Sequence, residues 1–168
     1  VETSVGSSGK VDWTNGVITA VGIGAPPAQP ANAAQARAMA ERAAQVVAYR
    51  NLLEAVKGVR LDSTTTVENF MVTSDVIRTQ VSGFVQGAMI MDKKYMSDGS
   101  VEVTVGMKLT GALADTLLPK TPPAQPTGLV TTPGAAGQTF TGLIVDARGL
   151  GIKPAMAPKV LNEDGKEV

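Results

Sequence analysis

The chain contains no histidine and no cysteine in 168 residues. Without histidine, no side chain is set by its ordinary pKa to exchange a proton near neutral pH. Without cysteine there is no thiolate nucleophile. Serine–histidine and cysteine–histidine mechanisms are therefore excluded, as are the usual zinc sites. Aromatic residues make up only 4% of the chain, and the formal net charge is zero, from 15 Lys and Arg against 15 Asp and Glu. A nucleic-acid groove needs a basic face with stacking aromatics, so this balance argues against that class. The same balance argues against electrostatic membrane docking. No stretch approaches the roughly 20 apolar residues of a spanning helix. What is left is a protein that binds or assembles, with no cofactor, metal or small-molecule substrate expected.

Hydrophobic residues reach 43%, enough for a core built of Ala, Val, Leu, Ile and Met. Val1 to Lys10 has no initiator Met, is rich in Ser and Gly, and reads as an N-terminal arm at a mature or trimmed terminus. Val11 to Thr14, Asn15-Gly16 and Val17 to Ile23 predict a β-hairpin with a two-residue turn, both turn positions needing positive φ. Val17, Thr19 and Val21 face one side; Ile18, Ala20 and Gly22 face the other. Gly24-Ala25-Pro26-Pro27 then breaks the strand.

Asn32 to Lys57 is rich in good helix formers, with Asn32 as its cap and a left-handed turn expected at Gly58. Ala40, Ala44, Ala48, Leu52, Ala55 and Val59 run down one face, small enough to let a sheet lie close. Val46, Tyr49, Leu53 and Val56 form a second stripe. One sheet cannot cover both, so another helix, the C-terminal segment or a neighbouring subunit must cover the second. The Ser-Thr-Thr-Thr run within Leu61 to Val67 favours an extended conformation. Ser74 or Asp75 caps a short helix through about Val85. Ala88 to Met96 and Ser100 to Leu109 form a second hairpin around Asp98-Gly99, with Val101, Val103, Val105, Met107 and Leu109 in strict alternation. Gly111 to Leu118 adds a short helical turn.

The composition changes at 121–138, where Pro122-Pro123, Pro126 and Pro133-Gly134 read as a linker. A tail from 139 follows, with strand-like Phe140 to Leu150 and Lys159 to Leu161. It is too short to fold alone and must dock on the main domain or a partner.

The chemical motifs have plainer readings. Gly22-Ile23-Gly24 lacks the third glycine of a dinucleotide loop. Ser7-Ser8-Gly9-Lys10 matches a Ser-x-x-Lys nucleophile only in letters, because that chemistry needs the first turn of a buried helix. Asp98 and Asp164 precede glycines and read as turn residues. Asp146 beside Arg148 reads as an ion pair. Asn162 to Gly165 lacks the alternating ligands of a calcium loop. Met71, Met89, Met91, Met96, Met107 and Met156 read as core filler.

Several stretches are similar to a known family: Ala36-Arg37-Ala38-Met39-Ala40-Glu41-Arg42-Ala43-Ala44, Ala48-Tyr49-Arg50-Asn51-Leu52-Leu53-Glu54-Ala55-Val56-Lys57-Gly58-Val59, Gly87, and Asp98-Gly99-Ser100-Val101-Glu102-Val103. They resemble the LPP20-type lipoprotein domain, which occurs in flagellar proteins such as the FlgP-like basal-disk or H-ring lipoprotein and the N-terminal domain of FlgT. Thr141 to Gly151 through Pro154 to Pro158 looks like a segment that follows this domain in some members. The resemblance implies an exported, non-enzymatic domain in the periplasm or at the inner face of the outer membrane. It further implies assembly with copies of itself, and with other flagellar or outer-membrane ring proteins, into a ring or array. The lipidated cysteine of a lipoprotein is absent from these residues, so it lies upstream or this member is not lipidated.

Together these readings predict an α+β fold: an antiparallel sheet of about four strands on one long and one short helix, with an extended C-terminal β arm. The domain is expected at 11–120 and the arm at 139–168. Expected subunit-contact residues are Val46, Tyr49, Leu53 and Val56 on the helix, and Phe140, Leu143, Ile144, Val145, Leu150 and Met156 on the arm. The alternative is a monomeric periplasmic adaptor with an apolar pocket at the helix–sheet seam.

Overall fold

The computed structural model describes residues 1–118, 120 and 144–166. Strands β1 (Glu2–Val5), β2 (Gly9–Asp12), β3 (Val17–Gly24), β4 (Met89–Tyr95) and β5 (Val101–Lys108) form one antiparallel sheet in the order β1-β2-β3-β5-β4. Helices α1 (Ala33–Lys57), α2 (Val67–Thr73), α3 (Asp75–Gln86) and α4 (Ala112–Leu117) complete the α+β fold. The fifth strand is β1, inside the stretch expected to be an arm. It pairs with β2 from Glu2 opposite Asp12 to Val5 opposite Gly9.

Asn32 caps α1 as its sequence predicts, its side chain accepting from the Gln35 N–H at 2.8 Å. The helix lies along β3 and β5. Its small stripe, Ala40, Ala44, Ala48, Leu52, Ala55 and the following Val59, is buried to 1% exposure or less. Opposite it stand Ile18, Ala20, Gly22 and Gly24 of β3 and Val101, Val103 and Val105 of β5, all buried. Gly22 and Gly24 explain why the stripe is alanine. A Cβ on Gly22 would come closer than 3.0 Å to the backbone of Ala44 and Ala48, and one on Gly24 would do the same to Ala40 and Ala44. The pair therefore marks a backbone-to-backbone approach. β2 begins at Gly9, opposite Ala20, and beyond it the Val21 amide still donates to the Ser8 carbonyl at 3.2 Å. Asn51 of α1 ties the helix to the same residue, its Nδ2 donating to the Val21 carbonyl at 2.7 Å.

The second stripe is covered from within the chain. Val56 is fully buried, while Tyr49 and Leu53 pack against the core. Helix α3, capped by Ser74, lies against α1, and the Tyr49 hydroxyl donates to the Ala88 carbonyl just beyond it at 3.1 Å. Of the four, only Val46 stays at the surface, 55% exposed.

Several local expectations need correction. The first hairpin turns over four residues, since Asp12 pairs directly with Val17. Asp12 draws the turn open by accepting from the Thr14 and Asn15 amides at 3.0 and 3.3 Å, and of the Asn-Gly pair only Gly16 takes a positive φ. Gly58 has φ −77°, an ordinary helical value. It is small because a Cβ there would meet Val5 Cγ1 at 2.6 Å. The Thr-rich run is a turn, with the Asp62 carboxylate accepting from the Thr64 and Thr65 amides at 2.8 and 2.7 Å, and it leads into the unexpected α2.

The tail also departs from a β arm. Residues 144–166 run in turns, bends and irregular stretches, with only a single bridge residue at Leu161. Turns at Gly149 and Gly151, both at positive φ, break up a strand there. The chain forms two compact units, one of Val1–Leu118 with Pro154–Val168 and one of Pro119–Lys153. In the first, the Met156 and Ala157 amides donate to the Arg60 and Leu61 carbonyls at 2.9 and 2.8 Å. The Pro/Gly-rich linker at 121–138, together with Phe140 and Leu143, lies outside the described residues.

Gly22→Ala should cost about 1–3 kcal/mol or more, because the clash is with backbone that cannot swing away. Gly83→Ala, in α3 with nothing within 4 Å of the new Cβ, should instead stabilise by about 1 kcal/mol. Urea unfolding of both variants checks the pair, and a neutral Gly22→Ala would contradict the close approach.

Candidate functional site

Polar side chains converge where α1 meets the edge strand β4. The β4–β5 register shifts between Ile90 and Asp92. Before the shift, Ile90 opposes Val105 on the helix-facing side; after it, Lys93 opposes Val103 and Tyr95 opposes Val101. Without the extra residue, Asp92 and Lys94 would face the helix instead. The bulge thus turns a cation and an aromatic ring toward α1, which presents Arg37 and Glu41 one turn apart.

Glu41 accepts a charge-assisted hydrogen bond from Lys93 Nζ and another from the Tyr95 hydroxyl at 3.2 Å. Gln45 Nε2 donates to the same carboxylate at 3.4 Å. The Arg37 guanidinium lies 5.3 Å from the centre of the Tyr95 ring, within cation–π range. The bond from Lys93 holds the Glu41 carboxyl below its ordinary value, and the same bond raises Lys93. A carboxylate held ionised beside an ammonium held protonated is a clamp, poorly suited to moving protons near neutral pH. Next to it, Pro26, Pro27, Arg37, Tyr95 and Met96 help line a surface groove of about 360 Å³.

The other perturbed carboxylates serve turns. Asp12 is lowered chiefly by the Asn15 side-chain amide, Asp62 by the Thr64 amide and Asp98 by the Ser100 hydroxyl. Asp146 is lowered by Arg148, with which it forms an exposed ion pair at 2.6 Å. Asn162 Oδ1 accepts from the Asp164 and Lys166 amides at 3.1 and 2.9 Å, so the Asn162–Gly165 segment is an Asn-closed turn. Gly22-Ile23-Gly24 lies inside β3 against α1. Ser7-Ser8-Gly9-Lys10 spans the β1–β2 connection rather than a helix. Among the described residues no group of three or more Asp, Glu, His or Cys could hold a metal ion, and no helix is long and apolar enough to cross a membrane.

A family model described as LPP20 lipoprotein matches residues 10–108, running from β2 through β5. The chain belongs to the LPP20 lipoprotein family. No curated protein and no solved structure matches it. Membership in a lipoprotein family implies an envelope location. In this LPP20 chain the thiol that would carry a lipid is not among the 168 residues.

The expected contact residues that are described fall in both compact units. Tyr49, Leu53 and Val56 belong to the intramolecular core, and Met156 also packs there. Ile144, Val145 and Leu150 are 95%, 59% and 70% exposed. The core-filler reading of the methionines holds for Met71, at 5% exposure, but not for Met89, Met91 and Met96, at 72%, 58% and 40%. These three lie on or just past an edge strand whose every residue is exposed. The Glu41–Lys93–Tyr95–Arg37 clamp was missed. Its one visible signal is the four-residue spacing of Arg37 and Glu41.

The clamp sets a pH dependence. Glu41, lowered from 4.5, contributes stability that is full above that value and lost as pH falls through its folded pKa. Lys93, raised from 10.5, contributes stability that is full below that value and lost as pH rises through its folded pKa. Glu41→Gln should therefore be destabilised against the parent at neutral pH, with the gap closing on acidification. Denaturant unfolding across pH reads this directly, and a gap constant down to strongly acid pH would contradict it.

Proposed function

We propose that this LPP20-family chain is a non-enzymatic building block of the bacterial envelope that self-associates into a ring or other array. As its setting we propose the flagellar motor at the outer membrane, with other ring proteins as partners; family membership supports the envelope location of that reading. One observation carries the self-association. Ile144, Val145, Leu150 and Ile152 are all at least 59% exposed within nine residues, a density of large apolar side chains that a monomer leaves in water. Val46 adds a further exposed contact on α1. Tyr49, Leu53, Val56 and Met156 drop out of the proposed surface because their own domain takes them up. A second reading, a monomeric periplasmic adaptor, is supported by the groove beside Tyr95.

Light scattering on the purified chain, with negative-stain images, tests the choice. Assembly predicts particles at multiples of 17.3 kDa. Val46→Asp combined with Ile144→Asp should reduce them to folded monomer, whereas Leu53→Asp should lower the unfolding midpoint itself. A 17.3 kDa species at every concentration would overturn assembly and favour the adaptor.

A further inference from the structure

We propose that Asn15-Gly16 is a self-modifying site, at which the folded chain converts Asn15 to aspartate and isoaspartate and so ages the connection between β2 and β3. Asn15 is exposed at the tip of the hairpin. The residue after it, Gly16, has no side chain to shield its amide nitrogen. That nitrogen makes no hydrogen bond among the described residues, and Gly16 sits at φ +62° in a turn rather than in the ladder. The other asparagines, Asn32, Asn51, Asn69 and Asn162, are followed by Ala, Leu, Phe and Glu. Three of these have side chains bonded to backbone groups, Asn32 at the cap of α1, Asn51 on the Val21 carbonyl and Asn162 in its turn. Among the described residues, the Asn15 side chain is instead bonded only to the exposed Asp12 carboxylate.

The chemistry needs only water and hydroxide. The Gly16 amide nitrogen gives up its proton and attacks Asn15 Cγ, forming a new C–N bond. The adduct expels the side-chain nitrogen as ammonia and closes a succinimide. Water then adds to either ring carbonyl, leaving aspartate or isoaspartate at position 15. No electrons are transferred.

The surroundings determine the consequence. Asn15 Nδ2 now donates to Asp12 Oδ2 at 2.5 Å. Conversion replaces that donor with a carboxylate facing a carboxylate. The isoaspartate product also inserts a methylene into the chain immediately before Gly16, whose carbonyl accepts from Leu109 N–H at 2.8 Å. Charge repulsion and a longer backbone therefore act at the point where the β2–β3 register and the end of β5 are tied together.

The test incubates the full chain at neutral and mildly alkaline pH, followed by peptide mapping and isoaspartyl-methyltransferase labelling. The expected result is conversion at Asn15 ahead of the other four asparagines, faster at the higher pH, and absent in Asn15→Gln. Amide spectra of the aged chain should show changes at Val17 and Leu109. Asn15→Asp, measured freshly prepared, should reproduce the charge effect before isoaspartate labelling accumulates, because Asp-Gly reaches the same succinimide more slowly, by losing water. A folded chain that stays unconverted while a free peptide of residues 11–18 converts would overturn the proposal, as would faster conversion at any other asparagine.

Discussion

The structure depends on how closely α1 can approach β3. Two glycines on the strand and three alanines on the helix bring backbone against backbone between Ala40 and Ala48. Dispersion and burial are gained here by proximity rather than by large side chains. This is how a chain with 4% aromatic residues still closes a core. The bulk sits elsewhere, in Leu52 and Val56 toward the C-terminal half of α1 and in the valines of β5. With the seam closed in this way, the helix–sheet interface at Gly22 and Gly24 leaves no room for a bound molecule or phosphate.

The remaining elements follow from that seating. Once the small face of α1 is committed to the sheet, its second stripe needs another cover, and α3 provides it. The edge strand β4 lies beyond the reach of the alanine stripe, and it is tied back by Glu41, Lys93 and Tyr95 instead. The bulge that makes this possible also folds Met91 toward Gly106 on the opposite face of the sheet. A bulge, an inward lysine and charged neighbours are features that discourage edge-to-edge pairing. Exposed apolar side chains therefore make a better starting point for assembly contacts than the β4 edge does.

Elements with their own periodicity were legible in the sequence. Helix α1 shows a cap, helix-forming residues and two stripes at helical spacing, and β5 shows strict alternation. Short elements were not. β1 is four residues containing Thr and Ser, extended only because β2 pairs with it. Helix α2 has a Thr cap that makes no side-chain bond, so packing of Val67 and Met71 holds it. The clamp was hidden because a one-residue register shift decides which β4 side chains face the helix, and alternation read straight through the bulge puts the wrong ones there. The fate of Tyr49, Leu53 and Val56 was half legible: their need for cover was visible, but not that α3 would meet it.

Native-state hydrogen exchange is the most direct test of the central claim. If the seam between α1 and β3 organises the fold, amides from Ala40 to Val56 and in β3 should exchange only through global unfolding, with one common free energy. Amides of β1 and of the tail should exchange by smaller openings. If α1 amides exchanged at a clearly lower free energy than those of β3 and β5, the helix would be detaching from an independently stable sheet. That result would contradict the account.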